Sequence, residues 1–179
     1  MRMEAIVITF ERMTGALERL MLYPVSVTVI LSGKIAGGAF FGITITTAML
    51  IGLSFIFPLQ ITNPVVFVSS MVISSFTFSA LGAFVSVTVK QVFEAQTLAN
   101  LFRFPMIFLS GVFIPVSNLP ATVKPLAYFM PLTYSVDCIK TSLGHQPEIF
   151  RPVESLAVLL LFALVFLGLS AWILKGRMS

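Results

Sequence analysis

The tetrapeptide Leu31-Ser32-Gly33-Lys34 ends like a phosphate-binding loop. Such a loop needs a glycine five positions before its last glycine, so that consecutive backbone N–H groups can wrap the phosphates, and that position holds Thr28. Nucleotide binding through this motif is therefore excluded. His145 is the sole histidine, Cys138 the sole cysteine, and no acidic pair has ligand spacing, so this chain by itself builds no metal site and no internal disulfide. Ser110-Gly111 carries a hydroxyl that an intramembrane serine hydrolase would use, but that chemistry needs a histidine base within reach, and His145 falls in a loop. Arg103 and Glu94 are the charged side chains nearest membrane depth. A cation there costs on the order of 3 kcal/mol on insertion scales. Either Arg103 faces a cavity or partner, or it snorkels to the cytoplasmic surface. Pairing with Glu94 is excluded, because nine helical residues put the two on opposite faces about 13 Å apart along the axis.

The elements that would carry these groups are hydrophobic. Of 179 residues, 58% are apolar and 10% charged, and no Asp, Glu, Lys or Arg lies between Lys34 and Lys90, which rules out a water-soluble enzyme. Ile35–Phe57 reaches roughly 34 Å as a helix, enough to cross about 30 Å of hydrocarbon. Pro58, Asn63 and Pro64 make an uncharged turn, and Val65–Val89 returns. Ser155–Leu174 is a further span, closed by Trp172, Lys175 and Arg177. Phe104–Ile114 is too short to cross alone. Extended back to Ala95 it makes a fourth span, kinked at Pro105 and enclosing Arg103.

The net charge of +4 and the basic pI of 9.6 fit loops facing anionic lipid, not nucleic acid. With four spans, Arg2, Arg12, Arg19, Lys34, Lys90, Arg103, Lys175 and Arg177 share one face; Lys124, Lys140 and Arg151 share the other. The positive-inside rule then places both termini in the cytoplasm of a multi-pass cell-membrane protein.

Three further features bear on function. Phe10, Met13, Leu17, Leu20 and Met21 recur at helical spacing opposite Glu11, Arg12, Thr14, Glu18 and Arg19, which predicts an amphipathic helix over 10–22, stopped by Pro24. On the far side, residues 116–144 are apolar and punctuated by Pro120, Pro125 and Pro131, a pattern that fits short helices dipping partway into the membrane. Gly33, Gly37, Gly38 and Gly42 form overlapping small-residue repeats for close helix packing, within this chain or against another subunit. Eight hydroxyl residues from Ser69 to Thr88 either bond to backbone and neighbouring helices or line a polar path.

Two blocks together resemble type-2 ABC transporter permeases, the membrane subunits of ATP-driven exporters. One is Phe10-Glu11-Arg12-Met13-Thr14-Gly15-Ala16-Leu17-Glu18-Arg19-Leu20 with Tyr23-Pro24-Val25-Ser26 and Gly33-Lys34. The other comprises Phe104-Pro105, Phe108-Leu109-Ser110-Gly111-Val112-Phe113, Pro115, Leu119-Pro120, Met130-Pro131-Leu132-Thr133-Tyr134 and Asp137. The resemblance implies a single all-α transmembrane domain over 1–179 that is not itself an enzyme and binds no cofactor. ATP and Mg would sit on a separate ABC ATPase subunit. A second permease subunit, identical or different, would complete the path for a hydrophobic or amphiphilic substrate.

It also implies that Glu11, Arg12, Gly15, Glu18, Arg19 and Pro24 couple to the ATPase, that the proline-rich loop forms re-entrant helices, and that Arg103, Pro105, Ser110, Pro131 and Tyr134 are candidates for a path or gate. Such permeases typically have six spans, and this chain starts where the second would end. It thus reads as a fragment, a split subunit or an inactive remnant. The alternatives from other classes are a non-transporting scaffold or regulatory subunit and a passive channel.

Overall fold

The computed structural model describes residues 27–56, 60–89 and 91–176, and among them there are helices and no strands. In chain order they are α1 (Val27–Ser54), α2 (Pro64–Thr88), α3 (Val92–Leu109), a 3-10 turn (Val116–Asn118), α4 (Lys124–Tyr128), α5 (Pro131–Ser142) and α6 (Pro152–Gly176). The amphipathic segment over 10–22 lies outside the described residues.

The starts of the helices follow from local chemistry. Asn63 caps α2 in an extended conformation, its Oδ1 accepting from Val66 N at 3.3 Å, and Pro64 fills the first helical position, where no N–H is needed. At the start of α3, Gln91 N donates to the Glu94 carboxylate at 3.3 Å. Arg151 N does the same to Glu154 at 3.2 Å ahead of α6. Both place a carboxylate in the first turn, where orphan N–H groups and the helix dipole favour it.

Three helices among the described residues are long and apolar enough to cross a membrane: Leu31–Ser54, Pro64–Thr88 and Pro152–Gly176. The expected fourth, 95–114, is a shorter helix with other bounds, carrying the chain from the Thr88 end of α2 to a corner beside Lys140. The helix runs through Pro105 but ends at Leu109, spanning 18 residues, or roughly 27 Å. Gly111 takes φ +84°, a left-handed conformation that glycine alone adopts freely, and the chain turns away there. Glu94, Gln96, Asn100 and Arg103 also dilute the apolar character of α3. The other spans shift by up to eight residues at their ends, and Lys34 falls inside α1 rather than ahead of it.

α2 is the centre of the bundle and touches α1, α3, α5 and α6. At its Thr88 end Val85 packs on Ala95 and Ala99 of α3, while Val87 meets Leu31 of α1 and Leu174 of α6. Further along, Ala80 and Ala83 pack on Ile35, with Phe166 and Leu167 of α6 closing the cluster. A ring series, Phe84–Phe166 at 5.9 Å, Phe162–Phe166 at 6.0 Å and Tyr134–Phe162 at 6.2 Å, links α2 to α5 across α6.

The glycine repeat behaves differently from a packing motif within the chain. Leu31, Ile35 and Ala39 are the buried stripe of α1. At about 100° per residue Gly42 shares their side, and an added Cβ there would meet Ser75 Oγ at 3.7 Å. Gly33 and Gly37 point the opposite way, where an added Cβ would meet no described residue within 4 Å, and Gly38 is half-buried.

Candidate functional site

Each of the eight hydroxyls of α2 has a hydrogen-bond partner. Ser69, Ser70, Ser75, Ser86 and Thr88 donate to carbonyls of their own helix. The other three stitch helices together: Ser79 Oγ donates to Ile35 O of α1 at 2.7 Å, Thr77 Oγ1 lies 3.1 Å from Leu159 O of α6, and Ser74 Oγ meets Ser135 Oγ of α5 at 2.8 Å. A hydroxyl that returns its hydrogen bond to the helix costs little in an apolar setting; the cross-helix bonds fix register.

Those bonds place α5 along the half of α2 that begins at Pro64. The start of α5 is fixed by Thr133 Oγ1 donating to Ala127 O at 2.7 Å and Tyr134 OH to Tyr128 O at 2.8 Å, which turn it back on α4. Leu132 reaches Phe78, the fifteenth residue of α2, and Ser135 reaches Ser74. At the other end, Ser142 O accepts from both Thr62 N at 2.9 Å and Asn63 N at 3.1 Å. α5 thus enters from the Pro64 end to roughly the middle of the bundle. Gly144, with φ +91°, lets the chain leave beside Thr62.

At the Ser142 end three charged residues form a network. Asp137 is 4% exposed, and its carboxylate accepts from Glu148 N at 2.8 Å, Phe150 N at 3.5 Å and Ser155 Oγ at 3.4 Å. Glu148 accepts from Lys140 Nζ on Oε1 at 2.8 Å and from Val116 N on Oε2 at 3.0 Å. Lys140 Nζ also donates to Gly111 O at 2.8 Å, just beyond α3. A buried carboxylate is tolerated only when its lone pairs are filled, which backbone N–H groups do here. Beside it, burial and then Asp137 push the Cys138 thiol up to about 11, against a lowering bond from Ser155. Burial, with Tyr128 adding to it, raises the Tyr134 phenol too.

Of the path and gate candidates, Arg103 lines an open groove and Ser110 a small enclosed gap beside Asp137 and Glu148. Arg103 borders the groove, of about 460 Å3, with Ala99, Asn100, Met106 and Ile107 of α3, Phe78 of α2 and Leu132 of α5. Pro105 is half-buried in α3. Ser110, Pro131 and Tyr134 are all buried, at the α3 end and the α4–α5 corner. Ser110 Oγ sits 3.5 Å from Ile107 O. The coupling candidates Glu11, Arg12, Gly15, Glu18, Arg19 and Pro24 lie outside the described residues.

Sequence reasoning noted Asp137 only within a motif and passed over Lys140 and Glu148 as partners. Asp137 and Lys140 are three apart and hence neighbours on one helix face, a signal available beforehand; Glu148, in a loop, left none. No group of three or more His, Cys, Asp or Glu able to hold a metal occurs among the described residues.

Comparison with known proteins completes the picture. The chain is similar to Nodulation protein J of Rhizobium leguminosarum bv. viciae, 35% identical over 74 residues, or 41% of this chain and 28% of that protein. It is similar to Inner membrane transport permease YadH of Escherichia coli K12, 27% identical over 124 residues, or 67% of this chain and 47% of YadH. The matched stretch thus spans less than half the length of these relatives. No solved structure matches significantly. The family model ABC-2 type transporter matches residues 1–144, which include both of the blocks and the whole α4–α5 re-entry. With three apolar helices of spanning length behind that match, the chain is a multi-pass membrane protein and belongs to the ABC-2 type transporter family.

Proposed function

We propose that the chain works as the permease subunit of an exporter, moving a hydrophobic or amphiphilic compound outward while a separate ATPase subunit hydrolyses ATP and a second permease subunit completes the path. Both termini face the cytoplasm, and the Pro64 end of the bundle, with α4 and α5, faces outward.

The observation that carries this reading is the extent of the family match. It runs from residue 1 through 144, so it takes in the amphipathic segment with Glu11, Arg12, Gly15, Glu18, Arg19 and Pro24 together with the proline-rich block. A helix with alternating Glu and Arg on its polar face suits a charged groove on a motor subunit. The other support is the apolar groove beside Arg103, a recess of the size that small ligands occupy.

The test is charge reversal on the amphipathic segment. In the complex reconstituted with its ATPase, Glu11→Lys or Glu18→Lys abolishes substrate-stimulated ATP hydrolysis and outward transport while leaving membrane insertion intact. Unchanged stimulation would remove the coupling assignment, and ion conductance without ATP would replace the exporter with a channel.

A further inference from the structure

Phe78 marks the depth of the groove. It lies about 21 Å along α2 from Pro64 and about 15 Å from Thr88, near the middle of a helix long enough to span a bilayer. Arg103 lines the same groove from α3 and is exposed, and among the described residues its guanidinium has no hydrogen-bond or ion-pair partner. Among the described residues, the acidic side chains of α3, α5 and the loop after it are committed elsewhere: Glu94 to the start of α3, Asp137 and Glu148 to the network at the far end of α5. Asn100, one helical turn before Arg103, adds an amide to the same wall, and the rest, Phe78, Ala99, Met106, Ile107 and Leu132, is apolar.

An unpaired cation beside one amide, in a recess whose remaining walls are apolar, is complementary to one kind of ligand. Neutral oils gain nothing from the guanidinium, cationic compounds are repelled by it, and a free inorganic anion would leave its own hydration for apolar walls. We propose that this groove seats an anionic amphiphile, with its carboxylate, sulfate or phosphate ester held by Arg103 and its hydrocarbon chain lying along Phe78 and Leu132. The planar guanidinium offers two parallel N–H donors to such a group, which a lysine would not. The assignment deepens the permease reading by naming its substrate class, and Arg103 is the residue that sets charge preference.

The experiment is equilibrium binding without ATP, so that it does not depend on transport. The chain, with any subunits that co-purify, is placed in phosphatidylcholine nanodiscs and titrated with dansyl-labelled undecanoic acid or with its methyl ester. The wild type binds the acid at least about tenfold more tightly than the ester, as one charge-assisted contact provides. Arg103→Gln removes that preference without changing ester affinity, and Arg103→Lys restores part of it. Equal affinity of the wild type for acid and ester overturns the proposal, and this needs no variant to fold. So does an Arg103→Gln protein that keeps the preference, or one that loses acid and ester alike. Leu132→Trp, which narrows the groove, weakens both probes; if it weakens neither, they bind elsewhere and the assignment fails. A retained acid preference with no ATP-driven export would sink the exporter reading alone.

Discussion

The ion pair between Lys140 and Glu148 holds two parts of the fold that no helix joins directly, and its strength can be worked from its surroundings. The side chains are 29% and 22% exposed, so the pair is neither a surface bridge worth at most about 1 kcal/mol nor a fully buried one whose rupture costs about 3–5 kcal/mol. Lys140→Met deletes two bonds at 2.8 Å, one to Glu148 Oε1 and one to Gly111 O, and leaves a half-buried carboxylate without its cation. The expected loss is about 2–3 kcal/mol. Glu148→Gln keeps an oxygen for Val116 N but removes the charge, for about 1–2 kcal/mol. Once either partner is gone the other has less to lose, so the double variant falls short of the sum by about 1–2 kcal/mol. Unfolding free energies from SDS titration in mixed micelles, followed by far-ultraviolet circular dichroism, give all four corners of the cycle. Single losses that add within about 0.5 kcal/mol would show that the pair is a geometric coincidence and refute the reasoning.

Three other outcomes are expected. Cys138 is fully buried and its thiol is pushed up to about 11, so at pH 7.5 roughly three in ten thousand are thiolate, and a maleimide labels the folded protein only after SDS; rapid labelling in native membranes would contradict the packing. Gly144→Ala forces a side chain into a φ of +91° with its Cβ 3.0 Å from Thr62 Oγ1, costing about 1–3 kcal/mol in the same titration, and Thr62→Ala recovers only the steric part; a neutral Gly144→Ala would disprove the strain. Ser117→Cys, exposed beyond α3, is labelled by a membrane-impermeant maleimide from outside the cell, and labelling only after permeabilisation would invert the proposed topology. Ser142, at 0% exposure, is unsuited to that assay.

Spans were legible because bilayer thickness imposes a length, and three long apolar runs of this sequence match helices α1, α2 and α6 to within a few residues at most ends. The start of α2 was legible too, as Asn63-Pro64 is a cap followed by a residue that needs no donor. What escaped was set by geometry between segments. The end of α3 hinges on a single positive φ at Gly111, inside a run, Phe104–Ile114, that composition alone reads as continuous. The burial of Tyr134 and Pro131 depends on α5 turning back against α2, and hydropathy does not encode which face of a short helix meets its neighbour. For the glycines, spacing alone did not single out Gly42 as the one against α2, because a repeat with two opposed faces cannot say which one the chain will bury.

The polar groups of α5 explain why its charges sit where they do. Its start lies beside Phe78, and there α5 itself contributes only neutral polar groups, the hydroxyls of Thr133 and Ser135 and the phenol of Tyr134, each bonded to a carbonyl or to Ser74. Its last two turns hold Asp137 and Lys140, and these bond to backbone of the 111–116 corner and the 148–150 loop, while Ser142 O takes the N–H groups of Thr62 and Asn63. Three connecting segments, one between α1 and α2 and one on either side of α5 between α3 and α6, are therefore fastened to a single helix of 12 residues. Backbone in a low-dielectric setting must have its hydrogen bonds satisfied inside the protein, and loops cannot do this for themselves. A short helix that enters the bundle and leaves it again supplies the missing partners on its way out, so α5 cannot shift relative to the end of α3 without breaking the bond from Lys140 to Gly111 O.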